Sequence, residues 1–205
     1  MTLRTGEWSG ERVWVVGAGA SLRGFDFGLI AGDRSIGCNH AMRWTQAGLA
    51  NDGRWVREFG SMPGAEHRCW LATEDSWTAP EPWQVLRKAR PERWTDRLED
   101  GLIHGPLTGL TAIHLADILG AREILLLGFD MRPEGPTHYH TDYAGREGWE
   151  TTPAAYAGHL DHFRRWAGCI RAEVYNLTPG SALDAFPVRS ALWGRKGLRG
   201  LVRRT

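Results

Sequence analysis

The chain has 205 residues, 42% hydrophobic and 24% charged, with a formal net charge of +1. This is the balance of an ordinary globular domain with a full core. It contains no run of about 18 apolar residues to span a membrane, and the polar opening Met1–Gly10 lacks the apolar centre of a secretion signal.

In chain order, the first predicted strand is Val13–Val16, which breaks into Gly17-x-Gly19-x-Ser21. A buried strand ending in such a turn suits a phosphate, because glycine lets backbone N–H groups approach an anion and a following helix N-terminus favours negative charge. Glycine turns also serve purely steric purposes, with Ser21 as a helix N-cap. The third glycine of a dinucleotide fingerprint is replaced by Leu22, and no acidic residue ends the next strand, Ser35–Cys38, which runs into Asn39. The turn therefore predicts a nucleotide site but a poor NAD site. A helix is expected over Phe25–Ile30 and further strands over Trp55–Phe59 and Cys69–Ala72. Residues Ser76–Asp100, with Pro80, Pro82 and Pro91, form an irregular insertion that includes a helix at Trp83–Ala89. A long helix at Thr108–Leu119 ends at Gly120, where a left-handed C-cap belongs. The Leu-rich run Glu123–Gly128 has no polar alternation, as suits a central strand covered on both faces. A helix at Ala154–Ala167 and a strand at Glu173–Asn176 follow.

Strands alternating with helical patterns predict an α/β fold with a mostly parallel sheet. The C-terminal strand ends would then gather the loops Gly17–Ser21, Asn39–His40, Gly60–Ser61, Gly128–Asp130 and Asn176–Ser181 on one edge, where ligands bind in open sheets. Asn39 can pair with a ribose hydroxyl or a base edge without adding charge. Thr108 and Gly109 open the long helix, as a simple cap or facing a phosphate. Thr178 before Pro179 has the pattern of a helix start, and Ser181 lies in the same loop. The segment Thr137-His138-Tyr139-His140-Thr141-Asp142-Tyr143 follows Asp130. Two histidines and an aspartate at alternate positions supply either a base with a carboxylate to orient it or ligands for a divalent metal. His40, His67, His104, His114, His159 and His162 are expected to be structural.

Cys38, Cys69 and Cys169 stand far apart, with no Cys-x-x-Cys pair, which predicts reduced thiols and a cytoplasmic setting. From Arg189 onward six basic residues meet no acidic one, and removing them leaves residues 1–188 at −5. The predicted organisation is one domain over 1–188 and a basic tail over 189–205, either solvated or in contact with nucleic acid or anionic lipid.

Together these motifs resemble a known group. Val15-Val16-Gly17-Ala18-Gly19-Ala20-Ser21-Leu22 is similar to the Gly-x-Gly-Pro-Ser-Leu opening of bacterial CMP-sialic-acid sialyltransferases. It also resembles the archaeal 6-hydroxymethyldihydropterin pyrophosphokinase-like family and a set of phage and prophage proteins. The likeness continues through Cys38-Asn39, Leu107–Asp130, His138–His140 and Asn176–Phe186, leaving Arg54–Asp100 and the tail unmatched. It implies a single Rossmann-like domain, with a central sheet flanked by helices, that takes a small-molecule nucleotide substrate. From the sialyltransferases, Gly17, Gly19, Ser21 and Asn39 would hold the nucleotide of a CMP- or UDP-type sugar donor. Thr108, Gly109, Asp130 and Ser181 would lie beside it, and His140 or His138 would act as general base. From the pyrophosphokinases, His138, His140 and Asp142 would instead hold a divalent metal for phosphoryl transfer. The phage set implies a third role, a nucleotide- or DNA-binding accessory protein. Ala18 and Ala20 replace the asparagine and proline of the sialyltransferase turn, and Gly105-Pro106 stands where an arginine is expected.

Overall fold

The computed structural model describes residues 3–61, 68–73, 83–103, 105, 107–149 and 151–189. His67, His104 and the basic tail beyond Arg189 lie outside the described residues. The described residues form a Rossmann-like α/β domain built on seven strands: β1 (Arg12–Val16), β2 (Ser35–Cys38), β3 (Ala47–Ala50), β4 (Arg68–Thr73), β5 (Gln84–Arg87), β6 (Glu123–Leu127) and β7 (Glu173–Asn176). Their order is β5-β4-β3-β2-β1-β6-β7, and every pair is parallel. Strand order reverses between β1 and β6, so the crevice beyond their C-terminal ends is the topological switch point, where open sheets bind ligands.

The central strands are apolar on both sides because both faces are covered. Val13, Val15, Ile124 and Leu126 point into one cluster with the helices α2 (Thr108–Ile118) and α3 (Pro153–Ala167). Trp14, Val16, Leu125 and Leu127 point into another with Leu22, Ile30 and Leu177. Helix α2 is buried all round from Leu110 to Ile118. Its polar members are therefore all bonded: Thr111 to Leu107 and Asn51, His114 to Thr95 and Ile103, and Asp117 to Arg171 and Ala172. Gly120 takes the left-handed conformation expected after α2, with φ 90°.

Several expectations are corrected. Trp55–Phe59 is not a strand but most of helix α1 (Gly53–Phe59), where the Asp52 carboxylate caps the start by accepting from the Arg54 amide. Trp55, Val56 and Phe59 recur at helical spacing and bury one side. Trp83–Ala89 is not a helix but carries β5, an exposed edge strand along β4. Strand β3 went unforeseen because Ala47-Gly48-Leu49-Ala50 is poor in strand-forming side chains. It is nonetheless fully buried, and Met42 packs so closely over Gly48 that a Cβ there would lie 2.7 Å from the Met42 Cβ. Phe25–Ile30 yields only a 3-10 turn, Phe27–Leu29, and no helix starts at Thr178. Instead Thr178 is buried and its hydroxyl accepts a bond from the Phe129 amide at 2.9 Å.

Arg189, where the basic tail was expected to begin, pairs with Glu123 and lies over the Tyr175 ring. Among the described residues no helix is long and apolar enough to cross a membrane.

Candidate functional site

Two adjoining cavities of about 190 and 710 Å³ open beyond the C-terminal strand ends and share Asn39, Thr108, His138 and Thr151. The smaller is floored by Gly17, Gly19, Gly128 and Asp130 and reaches Tyr156 and His159 of α3. The larger runs past Asn51, Asp52, Lys88 and Tyr143 to Trp149. A larger cavity of about 1260 Å³ lies over the 3-10 turns, lined by Phe25, Phe27, Trp44 and Tyr139. It is mostly apolar and touches the convergent loops only at Leu22, Arg23 and Tyr139, so the strand-edge cleft, where the polar groups converge, is the better candidate.

The glycine turn occupies the floor in an unexpected way. It feeds a three-residue 3-10 turn, Ala20–Leu22, rather than an α-helix, so no helix dipole stands behind it and Ser21 caps nothing. The Gly17 and Gly19 amides donate to the carbonyls of Leu127 and Gly128 at 2.7 and 2.9 Å. The Ser21 amide and hydroxyl donate to the two carboxylate oxygens of Asp130 at 3.0 and 2.7 Å. Both glycines are needed sterically, since a Cβ on either would come within 2.6 Å of the Gly128 carbonyl oxygen. The motif thus fastens β1 to the β6 loop directly under the cleft.

Asn39 stands at the junction of the two cavities. Its φ of 52° turns the chain sharply at the end of β2, and its buried Oδ1 has no partner among the described residues. Asn51, at the end of β3, is similar: Nδ2 donates to the Thr111 hydroxyl and the Gly105 carbonyl, while Oδ1 is buried and unpartnered. Two unpaired acceptors beside one cleft are free to take donors from water or a ligand. Opposite them α2 begins at Thr108 with Leu107 as its N-cap and no side-chain cap. Its first amides are therefore left to water or an anion. Thr108 is inside the helix rather than capping it. Gly109 allows Phe129 against the helix start, where a Cβ would meet the ring at 2.7 Å.

The loop 137–143 closes the cleft. Its backbone is held by the Tyr139 amide donating to Ala18 and by Arg23 donating to the His138 carbonyl. His138 faces both cavities, with Nδ1 2.8 Å from the Thr137 hydroxyl. His140 turns inward and stacks on His40, ring centroids 3.9 Å apart. Asp142 joins this inner pair rather than His138, with Oδ2 3.0 Å from His40 Nε2 and 3.9 Å from His140 Nδ1. Burial first, and then the neighbouring Arg43 and His138, lower the His40 pKa to about 4. Burial likewise takes His140 down to about 3, so both rings are neutral imidazoles at pH 7. Burial raises the Tyr143 hydroxyl and holds the Cys38 thiol at about 12. Ser181 lies off the cleft lining, its hydroxyl donating to the Phe129 carbonyl at 2.5 Å and shaping the β6 loop.

Asn51, Tyr143 and Trp149 line the larger cavity without having been singled out as candidates, while His40 lies beneath it. Asn51 follows the unforeseen β3, although Asn51-Asp52-Gly53 is a recognisable cap signal. His40 looked like an isolated histidine, and only the fold brings it to the distant loop.

No family model matches this chain, and no curated protein matches it. Solved structures do. The MAf glycosyltransferase from Magnetospirillum magneticum AMB-1 superposes with a TM-score of 0.62 at 19% identity, over 92% of this chain and 35% of that one. This chain thus spans about a third of that protein. The sialyltransferase CstII from Campylobacter jejuni, in complex with the substrate analogue cytidine-5'-monophosphate, gives 0.52 at 14% identity, over 88% and 85%. Its complex with CMP-3FNeuAc gives 0.50 at 13%, over 87% and 85%. At such identities the likeness is one of fold. The resemblances to phage-encoded and pyrophosphokinase-like proteins gain no support from these comparisons.

Proposed function

We propose that the chain is a glycosyltransferase-like enzyme domain that binds a nucleotide-activated sugar of the CMP or UDP type in the strand-edge cleft and uses His138 as general base. The observation that carries this reading is Asn39, a buried, unpartnered acceptor held by a left-handed backbone where the two cavities meet. Ribose hydroxyls and the base's N–H groups are the donors it lacks. The same fold in two glycosyltransferases, one in complex with cytidine-5'-monophosphate, supports the assignment.

The donor's phosphate would lie against the uncapped start of α2 at Thr108 and Gly109, above the platform of Gly17, Gly19 and the Ser21–Asp130 clip. His138 would take the proton of the acceptor hydroxyl as its oxygen attacks the anomeric carbon. The departing phosphate would be stabilised by the α2 amides. Of the two candidate histidines, His138 lines the cleft, whereas the His140 side chain is only 6% exposed.

Two substitutions test this reading. Asn39→Gly keeps the positive φ but removes the amide, so nucleotide affinity is expected to fall about tenfold with the fold intact. His138→Ala is expected to lower transfer or donor hydrolysis by about 10²–10⁴-fold while leaving nucleotide affinity unchanged. Calorimetry with CMP and UDP, and mass spectrometry across a donor panel, read the two effects. If neither nucleotide binds and no donor is consumed, the assignment fails.

A further inference from the structure

Beneath the cleft wall lies a second cluster that the proposed transfer does not use. His40 is wholly buried. On one side its Nδ1 lies 3.1 Å from the Tyr143 hydroxyl, and the Trp55 indole N–H is shared between that hydroxyl at 2.7 Å and Nδ1 at 3.2 Å. On the other side Nε2 faces Asp142. His140 stacks on His40 and meets Tyr143 edge-on. Both of its ring nitrogens are buried without a hydrogen-bond partner among the described residues. Buried polar atoms left unpaired are uncommon and require a reason. Asp142 is 40% exposed on its side chain and opens the cluster to solvent.

We propose that His40 Nε2, His140 Nδ1 and Asp142 Oδ2 form a binding site for a divalent transition-metal ion of the zinc class, with its remaining position open to water beside Asp142. Potential ligand atoms of these three residues lie within 4.8 Å of one another. Tetrahedral coordination at about 2.0–2.1 Å requires them about 3.3 Å apart. The contraction falls to His140, whose ring nitrogens have no hydrogen-bond partner among the described residues and which must tilt away from its stack on His40. Two neutral imidazoles and one carboxylate favour zinc over magnesium or calcium, which prefer all-oxygen sets. A metal on His40 Nε2 places the ring proton on Nδ1, where the Tyr143 hydroxyl accepts it, and leaves the Trp55 N–H to its shorter bond with that same hydroxyl. Such an outer partner is what orients a ligating histidine. Arg43, which acts on both imidazoles, opposes the ion's charge, and Asp142 offsets it. The ion would tie the loop carrying His138 to the turn after β2.

The test uses the full chain, stripped with a chelator and titrated by calorimetry with zinc chloride and, separately, magnesium chloride. No nucleotide is present, so the result is independent of the transfer reading. One equivalent of zinc is expected to bind and magnesium is not. His140→Ala and Asp142→Asn should each weaken zinc binding at least tenfold. Asp142→Asn changes a solvent-facing group, so its melting temperature in chelator should match the parent and separate lost binding from lost folding. His162→Ala, on the nearby-in-sequence pair His159 and His162 of α3, should leave zinc affinity unchanged. Absence of saturable zinc binding, equal affinity in the His140 and Asp142 variants, or loss only on His162→Ala overturns the site.

Discussion

Replacing His114 by alanine is expected to lower the unfolding free energy by about 3–5 kcal/mol, a large part of the roughly 5–15 kcal/mol that holds a domain together. His114 lies on the all-buried helix α2 and is itself 0% exposed. The Ile103 amide donates to its Nδ1 at 2.7 Å, which leaves the ring proton on Nε2 to be donated to the Thr95 carbonyl at 2.8 Å. Trp94 covers the ring at 4.1 Å. Alanine would strand two buried backbone groups and leave a cavity under Trp94. The same ring makes stability depend on pH. Burial lowers its pKa to about 4 from an ordinary 6.5. Above pH 6.5 both folded and unfolded forms are neutral, and the full stability is present. Between about 6.5 and 4 the unfolded chain takes up a proton that the folded chain refuses, so stability falls as the pH falls. Below about 4 the loss from this group is complete. Near pH 5 one such histidine accounts for about 2 kcal/mol. His40 and His140, also lowered, add losses of the same sign. His114→Gln can keep an acceptor and a donor without titrating, so it should flatten the slope by up to about 1.4 kcal/mol per pH unit. Urea unfolding at pH 7.5 and 5 measures both effects. A His114→Ala variant within 1 kcal/mol of the parent, on the order of a single ordinary hydrogen bond, contradicts the argument.

His114 also illustrates which parts of this molecule were readable beforehand. Strands β1 and β6 announce themselves as apolar runs with polar or glycine ends, because burial on both faces demands little else. Helix α2 was visible for its length and its Gly120 stop. What bound α2 to the segment at Thr95–Ile103 was not, since that segment meets His114 mainly through backbone groups. Strand β3 escaped because its small residues are chosen for the space left by Met42 rather than for strand propensity. Helix α1 was mistaken for a strand because Trp55, Val56 and Phe59 are strand-formers by type. The Asp52 cap and the tertiary packing outweighed that preference. The candidate site was legible where a motif sits at a strand end, as with Gly17–Ser21, Asn39, Thr108 and the loop 137–143. It was illegible where pairing depends on depth. Nothing in the spacing of His138, His140 and Asp142 tells that the first faces the cleft while the other two turn under it to His40.

Replacing Gly19 by alanine should damage folding and nucleotide binding together. A Cβ at this position would lie 1.8 Å from Asp130 Oδ2 and 2.6 Å from the Gly128 carbonyl oxygen. The carboxylate can swing away only by giving up both bonds from Ser21. The Gly128 carbonyl is backbone, and moving it breaks the bond it accepts from the Gly19 amide. Losing a carboxylate-to-serine clip and one backbone bond corresponds to about 3 kcal/mol. Gly158→Ala, at an exposed helical position with open space around it, is the control and should stabilise by about 0.5–1 kcal/mol. A double-mutant cycle divides the cost of Gly19→Ala. In an Asp130→Ala background the carboxylate clash and the clip are already gone, so Gly19→Ala should cost less there than in the parent, with the remainder assigned to the Gly128 carbonyl. Thermal melts read the stability, and calorimetry with CMP and UDP reads the site. If Gly19 served only to admit a phosphate, alanine would spare the melt and abolish binding alone. The packing instead requires both to fall, because the turn that floors the cleft is the same one that fastens β1 to the β6 loop.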